Sequence, residues 1–306
     1  MSVRSPVGHR APLQAYLVIV GGIGAISMGA IFIRLAQQQA MPSLFIAAAR
    51  LTLAALILTP FALRRNWEEI RRIQPGDLLL AALSGVFLAM HFATWVLSLE
   101  YTSVLISVVL VNTHPLWVAL LEVLLLRARL GKLVIAGLLV ALAGGLGVAL
   151  TGSGSASSVG SNLPLGAALA ILGALTVAVY FIIGRKLRRD LSLLTYIWLV
   201  YGCGALTLLV AVLIIGTPIV GYDPIGYLWL LGMALIPQII GHSAFNYVLR
   251  FFPATYVSIA TQLEPAASAS IAFIIFSELP GEMQVLGSIV ILAGVILASL
   301  GQAKPS

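Results

Sequence analysis

Charged residues and cysteines are scarce in this chain of 306 residues. Lysine, arginine, aspartate and glutamate make up 9% of the sequence, hydrophobic residues make up 60%, and the mean hydropathy is +1.08. A chain with so few polar side chains does not have enough of them to cover a water-soluble globule. The single cysteine, Cys203, excludes an internal disulfide and a CxxC pair for metal or redox chemistry. The composition therefore predicts a protein that resides in lipid.

Enzyme motifs are missing as well. The sequence contains no HExxH, no Walker loop and no G-x-S-x-G elbow, and no pair of aspartates lies within an apolar run. The GSGS stretch at 152–155 is uncharged and flexible, as expected of a linker. We therefore expect no catalytic residue, no cofactor and no metal site. An intramembrane enzyme is the weakest interpretation of this sequence.

Ten long apolar runs occupy most of the chain. Each has close to the roughly 20 residues that a helix needs to cross a bilayer. The connections between the runs are too short to form a separate soluble domain. The sequence therefore predicts an all-α integral membrane protein with ten transmembrane helices. The predicted spans are Leu13–Leu35, Ser43–Leu63, Asp77–Leu99, Ser103–Leu126, Leu133–Leu150, Leu165–Ile183, Leu191–Ile215, Tyr227–Leu249, Ala254–Phe276 and Met283–Leu300.

Basic residues occur in alternate connections between these spans. If the N-terminus is cytoplasmic, 15 of the 17 basic residues face the cytoplasm, and only Arg34 and Arg50 do not. The opposite connections contain no lysine or arginine, and they carry the acidic residues Glu100, Asp223, Glu278 and Glu282. This asymmetry satisfies the positive-inside rule. The net charge of +7 therefore marks topology, and we expect no nucleic-acid partner.

The two halves of the chain repeat each other. Residues 101–150 align without a gap to residues 251–300 at a constant offset of 150, and the identical pairs include Pro115 with Pro265. Four of the identical pairs are a proline and three glycines, whose backbone roles other residues fill poorly. The sequence therefore predicts a protein built from two related units.

An odd number of spans in each unit makes the repeat an inverted one. Because five spans leave the chain on the opposite side of the membrane, the second unit enters the bilayer with reversed orientation. We predict one unit at 1–150 and a second at 164–306, joined by an external linker at 151–163. Inverted repeats are typical of secondary transporters that work by alternating access. The alternative is an inherited duplication without alternating access, as in some channels.

Two polar residues at equivalent positions of the repeat lie near the predicted membrane midplane. At 1.5 Å per residue, His114 and Glu264 lie about 15–17 Å into their spans. Each directly precedes a proline of the repeat, Pro115 or Pro265, which removes a backbone hydrogen bond and frees a carbonyl. His114 and Glu264 are therefore the predicted core of a binding site, and the two prolines are predicted helix breaks with a gating role.

Helical spacing adds further side chains to this core. Polar residues at steps of three and four share one helix face, and such faces indicate a cavity lined by predicted spans 1, 3, 4, 6, 8 and 9, with spans 5 and 10 at the periphery. The predicted substrate-binding residues are His91, Trp95, His114, Tyr180, His242, Asn246 and Glu264. The alternative is that these side chains form only interhelical hydrogen bonds, worth about 0.6 kcal/mol each.

Arg50 and Glu122 are two further charges within the spans. Arg50 lies about 10 Å from the external surface by helical rise. It is expected to snorkel, to pair with a buried carboxylate, or to hold a substrate carboxylate. Glu122 lies within about one or two helical turns of Arg127 and Arg129, and we expect a local ion pair there.

The second half also carries the marks of a known family. Between Phe251 and Leu300 these marks are Pro265, Glu278, Gly287 and Gly294, and the first half repeats them at Pro115, Gly137 and Gly144. Ala128 stands at the place that matches Glu278, which departs from the pattern. The sequence resembles the drug/metabolite transporter superfamily, EamA type, and is similar to its YddG-type exporters of aromatic and other hydrophobic amino acids. The resemblance implies ten helices, a central cavity and two cytoplasmic termini.

The predicted function is export of small hydrophobic or aromatic amino acids and related metabolites from the cytoplasm by alternating access. We expect a multi-pass, monomeric protein in the plasma (inner) membrane of a bacterium, with the lipid bilayer and a small-molecule substrate as its partners. The alternatives are a channel-like facilitator and an exporter of another amphipathic metabolite or drug. Flux kinetics separate a transporter from a channel, because a transporter saturates and shows counterflow.

Overall fold

The computed structural model of the chain describes residues 12–101, 104–126, 130–151, 162–276 and 282–302. Within these ranges the chain forms helices and turns and no strand, which confirms the prediction of an all-helical protein. Several predicted features lie outside the described residues. They are the core of the linker at 152–161, the family marks Glu278 and Ala128, and the basic residues Arg4, Arg10, Arg127, Arg129 and Lys304.

In the described ranges, the first half contains eight α-helices, and the second half contains seven α-helices and two other helical segments. The first eight are α1 Leu13–Ser27, α2 Gly29–Gln38, α3 Ser43–Arg65, α4 Trp67–Arg71, α5 Pro75–Tyr101, α6 Val104–Val111, α7 His114–Leu126 and α8 Lys132–Thr151. The later elements are α9 Leu163–Leu187, α10 Leu193–Ile215, α11 Pro224–Met233, a π-helix Ala234–His242, α12 Ser243–Val248, α13 Ala254–Ala260, a 3-10 helix Thr261–Leu263, α14 Glu264–Phe276 and α15 Glu282–Gln302.

Seven helices of the described ranges are long and apolar enough to cross a membrane. They are Leu13–Gln38, Ser43–Arg65, Pro75–Tyr101, Ser107–Leu124, Pro164–Leu187, Leu193–Ile215 and Pro224–Val248. Helices α8 and α15 contain shorter apolar stretches, Lys132–Gly145 and Val285–Ala298. The chain is therefore a membrane protein with several apolar spans, and the number of ten crossings stays a prediction.

Four of the long helical segments are interrupted, and prolines account for three of the interruptions. Pro115 and Pro265 are the second residues of α7 and α14, so the helix before each of them ends where a proline cannot continue its hydrogen bonds. Pro237 lies inside the π-helix, where the backbone has widened around it. The fourth interruption is at Met28, between α1 and α2. These interruptions leave backbone groups free to bond side chains.

Carboxylates at the helix ends hold the beginnings of neighbouring helices. Glu122, which is buried, accepts hydrogen bonds from the backbone N–H of Thr255, at 3.3 Å, and from its hydroxyl. Thr255 lies in the first turn of α13, so the carboxylate satisfies a free N–H at the positive end of that helix. The predicted partners Arg127 and Arg129 lie outside the described residues. Glu122 therefore ties α7 to α13.

Glu69 caps α10 in the same way from the short helix α4. Its carboxylate accepts hydrogen bonds from the backbone N–H of Ser192 at 2.6 Å, from the Ser192 hydroxyl at 2.5 Å and from the Thr195 hydroxyl at 2.6 Å. Partial burial acts to raise the pKa of Glu69, but these hydrogen bonds and one from Asn66 outweigh it and lower the pKa below its usual value. Glu69 thereby fixes the connection between α3 and α5 to the start of α10.

Replacing Glu69 by glutamine is expected to lower the melting temperature in detergent at pH 7 by about 1–3 °C, as for loss of a helix cap. Because the folded-state pKa of Glu69 is depressed, its contribution is present above the unfolded pKa and is lost as the pH falls through the folded pKa. The difference between variant and parent should therefore shrink below about pH 4. Glu68→Gln is the control, since Glu68 is exposed and pairs only with Arg72 at 3.4 Å. Equal effects of both substitutions would contradict the cap.

Glycines allow two helix pairs to approach until their backbones touch. A Cβ on Gly137 of α8 would lie 2.6 Å from the carbonyl oxygen of Gly294 in α15. A Cβ on Gly85 of α5 would lie 2.7 Å from the carbonyl oxygen of Val200 in α10. Both separations are too short for a real side chain, so small residues decide how closely these helices pack.

Replacing Gly85 by alanine is expected to lower the melting temperature. The added methyl group would contact backbone that cannot move away easily, and overpacking costs about 1–3 kcal/mol. This cost exceeds the helix-propensity gain of alanine over glycine, about 1 kcal/mol. The matched control is Gly202→Ala in α10, where a Cβ meets nothing within 4 Å. The packing argument fails if Gly85→Ala melts at or above the temperature of Gly202→Ala.

Candidate functional site

A cavity lies where the interrupted helices meet. Its wall contains both polar and aromatic side chains. It is lined by Ile26, Arg50, His91, Trp95, Val111, Asn112, His114, Val177, Phe181, His242, Phe245, Thr261 and Glu264. These residues come from predicted spans 1, 3, 4, 6, 8 and 9, with Arg50 added from span 2. The cavity volume is about 40 Å³, which is room for a few water molecules.

Arg50 is the cation of this cavity, and its side chain is 1% exposed. Its Nε donates a hydrogen bond to Oε1 of Gln238 at 2.6 Å, and its guanidinium carbon lies 3.9 Å from the centre of the Phe92 ring. Among the described residues Arg50 makes no ion pair, because no carboxylate oxygen lies within 4.0 Å of its guanidinium. Of the predicted alternatives, a direct salt bridge with a buried carboxylate is therefore not formed in the described part of the chain.

Gln238 reaches Arg50 because the π-helix holds it there. The side chain is fully buried, and its amide oxygen must face Arg50, because a guanidinium only donates. The backbone carbonyl of Gln238 accepts a hydrogen bond from the Tyr201 hydroxyl at 3.3 Å. The amide N–H group of Gln238 has no partner among the described residues. The pair of Arg50 and Gln238 was not predicted from the sequence.

Two histidines and a tryptophan form a ring cluster on the wall. His91 stacks on Trp95 with ring centres 5.9 Å apart, and its ring centre lies 6.4 Å from that of His242. Nδ1 of His91 bonds the carbonyl oxygen of Gly173 at 2.9 Å, so this nitrogen carries the proton. Nδ1 of His242 and Nε1 of Trp95 are buried without a hydrogen-bond partner in the described structure. His91 is therefore fixed, whereas His242 and Trp95 each leave a nitrogen free.

His114 is held through both ring nitrogens at the break between α6 and α7. Nδ1 bonds the carbonyl oxygen of Val111 at 3.0 Å, and Nε2 lies 3.0 Å from the hydroxyl of Thr261. The Thr261 hydroxyl also lies 2.7 Å from the carbonyl oxygen of Ser258. It has one proton, which it donates either to His114 Nε2 or to this carbonyl. His114 thereby joins the break in one half of the chain to the break in the other.

Glu264 is the carboxylate of the cavity and the first residue of α14. It is 9% exposed and shares the wall with Asn112, whose side chain lies beside it. The carbonyl of Asn112, left free by the break after α6, accepts a hydrogen bond from the Gln262 amide. Asn112 and Gln262 are separated by exactly the 150 residues of the repeat offset. Two equivalent positions of the repeat therefore bond each other beside Glu264.

Tyr180 and Asn246 lie away from the cavity and bond each other. The Tyr180 hydroxyl donates to Oδ1 of Asn246 at 2.7 Å, and Nδ2 of Asn246 points to the Tyr201 hydroxyl at 3.5 Å. Both side chains are fully buried, and neither lines the cavity described above. We predicted both residues on the cavity wall, but the structure places them outside it, where their polar groups bond each other. The other five predicted binding residues, His91, Trp95, His114, His242 and Glu264, share the wall.

The two predicted prolines act on the cavity through the backbone. Pro115 lines a separate, smaller cavity of about 20 Å³ with Asn112, Leu138 and Gln262, while Pro265 is buried behind Glu264. Each proline places the residue before it at the start of a helix, and that residue faces the larger cavity. The shared proline therefore explains why His114 and Glu264 reach the same space.

Comparison with known proteins finds one family model twice in the chain. The model of the EamA-like transporter family matches residues 13–150 and again residues 164–300. An uncharacterised transporter of Archaeoglobus fulgidus is 26% identical over 278 residues, which cover 90% of this chain and 93% of the relative. YyaM, an uncharacterised transporter of Bacillus subtilis strain 168, is 27% identical over 262 residues, 83% of each chain. A solved crystal structure shares the fold with a TM-score of 0.75 at 18% identity, over 95% of this chain and 98% of that one.

Proposed function

The chain belongs to the EamA-like transporter family, and we propose that it exports small hydrophobic or aromatic amino acids from the cytoplasm by alternating access. The proposal includes ten membrane crossings, two inverted five-helix repeats and cytoplasmic termini, in the inner membrane of a bacterium. The observation that carries it is the cavity at the helix breaks, which combines one cation, one carboxylate and aromatic walls.

Helix packing supports the inverted repeat. If the first five spans exchange with the second five, α5 corresponds to the segment from α11 to α12, and α1–α2 corresponds to α9. Helix α9 packs along α5, and α1 correspondingly packs along the π-helix and α12. Two further large contacts join equivalent helices, α3 with α10 and α8 with α15. Such exchange of contacts is what a two-fold relation between the halves requires.

Equivalent residues also meet at the centre. Asn112 bonds Gln262 at the offset of 150, and His91 lies near His242 at an offset of 151. Residues related by a two-fold axis contact each other only close to that axis. The cavity therefore lies where a rocking motion of the two halves would open it first to one side and then to the other.

The small size of the cavity favours a transporter over a channel. A volume of about 40 Å³ is room for a few water molecules, and alternating access supplies a second conformation with a larger chamber for the substrate. An aromatic side chain then has Trp95, Phe181 and Phe245 to pack against. The polar groups of the amino acid have Arg50 and Glu264 within the same wall.

Counterflow in liposomes tests this function. The purified protein is reconstituted, the vesicles are loaded with unlabelled phenylalanine, and entry of labelled phenylalanine is followed against protein-free vesicles. We expect saturable uptake that is stimulated by internal substrate, and no uptake of sugar phosphates. Linear flux without counterflow would favour the channel-like facilitator. Transport of sugar phosphates with no transport of amino acids would refute the proposed substrate class.

A further inference from the structure

The cavity wall has several polar atoms without a partner. Seven buried side-chain nitrogen and oxygen atoms of the described residues lack a hydrogen bond, and five of them belong to the cavity wall or to the residue bonded to Arg50. They are Arg50 Nη1, Trp95 Nε1, Asn112 Oδ1, Gln238 Nε2 and His242 Nδ1. Buried polar groups without partners are rare in folded proteins, and their concentration at one place marks a site for bound water or a ligand.

Three of these five atoms can only donate a hydrogen bond. Arg50, Trp95 and Gln238 offer N–H groups and no free acceptor, because the amide oxygen of Gln238 already bonds Arg50. Their side chains are 1%, 4% and 0% exposed, so bulk water does not satisfy them. The group that fits these three donors is one that only accepts. A carboxylate has two such oxygens.

The position of Arg50 suits a carboxylate more than a neutral acceptor. The guanidinium is fixed by Gln238 and by the Phe92 ring, and no protein carboxylate of the described residues lies within 4.0 Å to balance its charge. A planar guanidinium binds a carboxylate with two parallel hydrogen bonds. Gly29 leaves room next to it, since a Cβ there would lie 4.0 Å from Arg50 Nη1 and 3.5 Å from the Trp95 ring.

The position of Glu264 relative to Arg50 sets the orientation of a substrate that carries both charges. It is on the same wall as Arg50 but does not contact it, so the two opposite charges are held apart. A carboxylate beside Glu264 would be repelled, and an ammonium beside Arg50 would be repelled as well. An α-amino acid, with its carboxylate at Arg50 and its ammonium toward Glu264, complements both charges.

We propose that Arg50, Gln238 and Trp95 form a carboxylate-binding subsite, so that the substrates are molecules with a free α-carboxylate and not amines or amides. This inference rests on the proposed function, because it assigns the substrate class of the same cavity. Gln238 has two roles in this subsite. Its amide oxygen orients the guanidinium, and its amide N–H group donates to the ligand.

Ligand binding to the purified protein tests the subsite separately from transport. Binding of phenylalanine, phenylalaninamide, 3-phenylpropionate and 3-phenylpropionamide is measured by calorimetry. We expect each acid to bind at least about tenfold more tightly than its amide, as charge-assisted hydrogen bonds to a buried cation predict. Arg50→Gln should bring both ratios close to one. Equal binding of acids and amides by the parent protein, or no binding of any acid, overturns the inference.

A conservative pair of variants covers the case in which Arg50→Gln does not fold. Trp95→Phe removes one donor and keeps an aromatic ring, and it should weaken binding of the acids about three- to tenfold with little effect on the amides. The matched control is Trp117→Phe, because Nε1 of Trp117 is also buried without a partner but lies away from the cavity wall. Equal losses in both variants overturn the subsite.

The two proposals fail in distinguishable ways. If labelled amino acids show no counterflow while 3-phenylpropionate still binds more tightly than its amide, amino-acid export is wrong and the carboxylate subsite stands. If phenylalanine and phenethylamine are exchanged equally well, transport stands and the subsite is wrong.

Discussion

Replacing Glu264 by glutamine is expected to reduce phenylalanine counterflow by about 10- to 100-fold while the protein still folds. Glu264 is the carboxylate on the cavity wall, and it begins α14 exactly where the helix is interrupted. Under the proposed orientation of the substrate, it accepts the charged hydrogen bonds of the ammonium group. Such bonds contribute roughly 1.5–3 kcal/mol, and each 1.4 kcal/mol corresponds to a factor of ten. Glutamine keeps the size of the side chain and removes its charge.

The control for Glu264→Gln is the same change at Glu122. Glu122 is also a buried glutamate in the other half of the chain, but its carboxylate bonds Thr255 and does not line the cavity. Glu122→Gln is expected to lower the melting temperature and to leave the counterflow of the folded protein within about twofold of the parent. Counterflow rates are divided by the amount of folded protein, which is taken as the monodisperse fraction after purification. If Glu264→Gln transports at the parental rate, or if both variants lose transport equally, Glu264 does not bind the substrate.

The helices and their interruptions were predictable because they depend on short-range sequence signals. Apolar runs of about 20 residues place each helix. Pro115 and Pro265 mark the ends of the helices before them, whereas Pro60 lies inside α3 without interrupting it. The repeat offset pairs Pro115 with Pro265, so His114 and Glu264 were expected at one place, and both line the cavity. His91, Trp95 and His242 follow from spacing along single helices. These predictions needed no knowledge of how the helices are arranged.

The contacts between distant segments were not predictable. Arg50 and Gln238 are 188 residues apart, and they meet because the π-helix turns Gln238 toward α3. Pro237 was the available signal for that π-helix, since a proline within a predicted span requires a local change of the backbone. Tyr180 and Asn246 have the polarity and spacing of wall residues, but each satisfies the other. Polarity along a helix shows which residues need a partner, and the packing of the whole chain decides whether that partner is protein or ligand.

Replacing Gly29 by leucine is expected to abolish counterflow, with a decrease of at least about 100-fold, although alanine at the same position is tolerated. A Cβ at Gly29 would make ordinary contacts, 3.5 Å from the Trp95 ring, 3.7 Å from Pro237 and 4.0 Å from Arg50 Nη1. A leucine side chain extends beyond that Cβ into the space that the substrate carboxylate would occupy. The three further carbon atoms therefore fill that space or displace Arg50 or Trp95.

The matched control for Gly29→Leu lies one and a half turns earlier in the same span. Gly24 is exposed on the outer surface of α1, and a Cβ there meets nothing within 4 Å. Gly24→Leu adds the same side chain to the same helical segment and is expected to leave counterflow at the parental rate. Gly29→Ala, Gly29→Leu and Gly24→Leu are compared at equal amounts of monodisperse protein. The comparison therefore separates a block of the binding space from a loss of folding. Full transport by Gly29→Leu would mean that the substrate passes elsewhere, and the space beside Arg50 would no longer be the binding chamber.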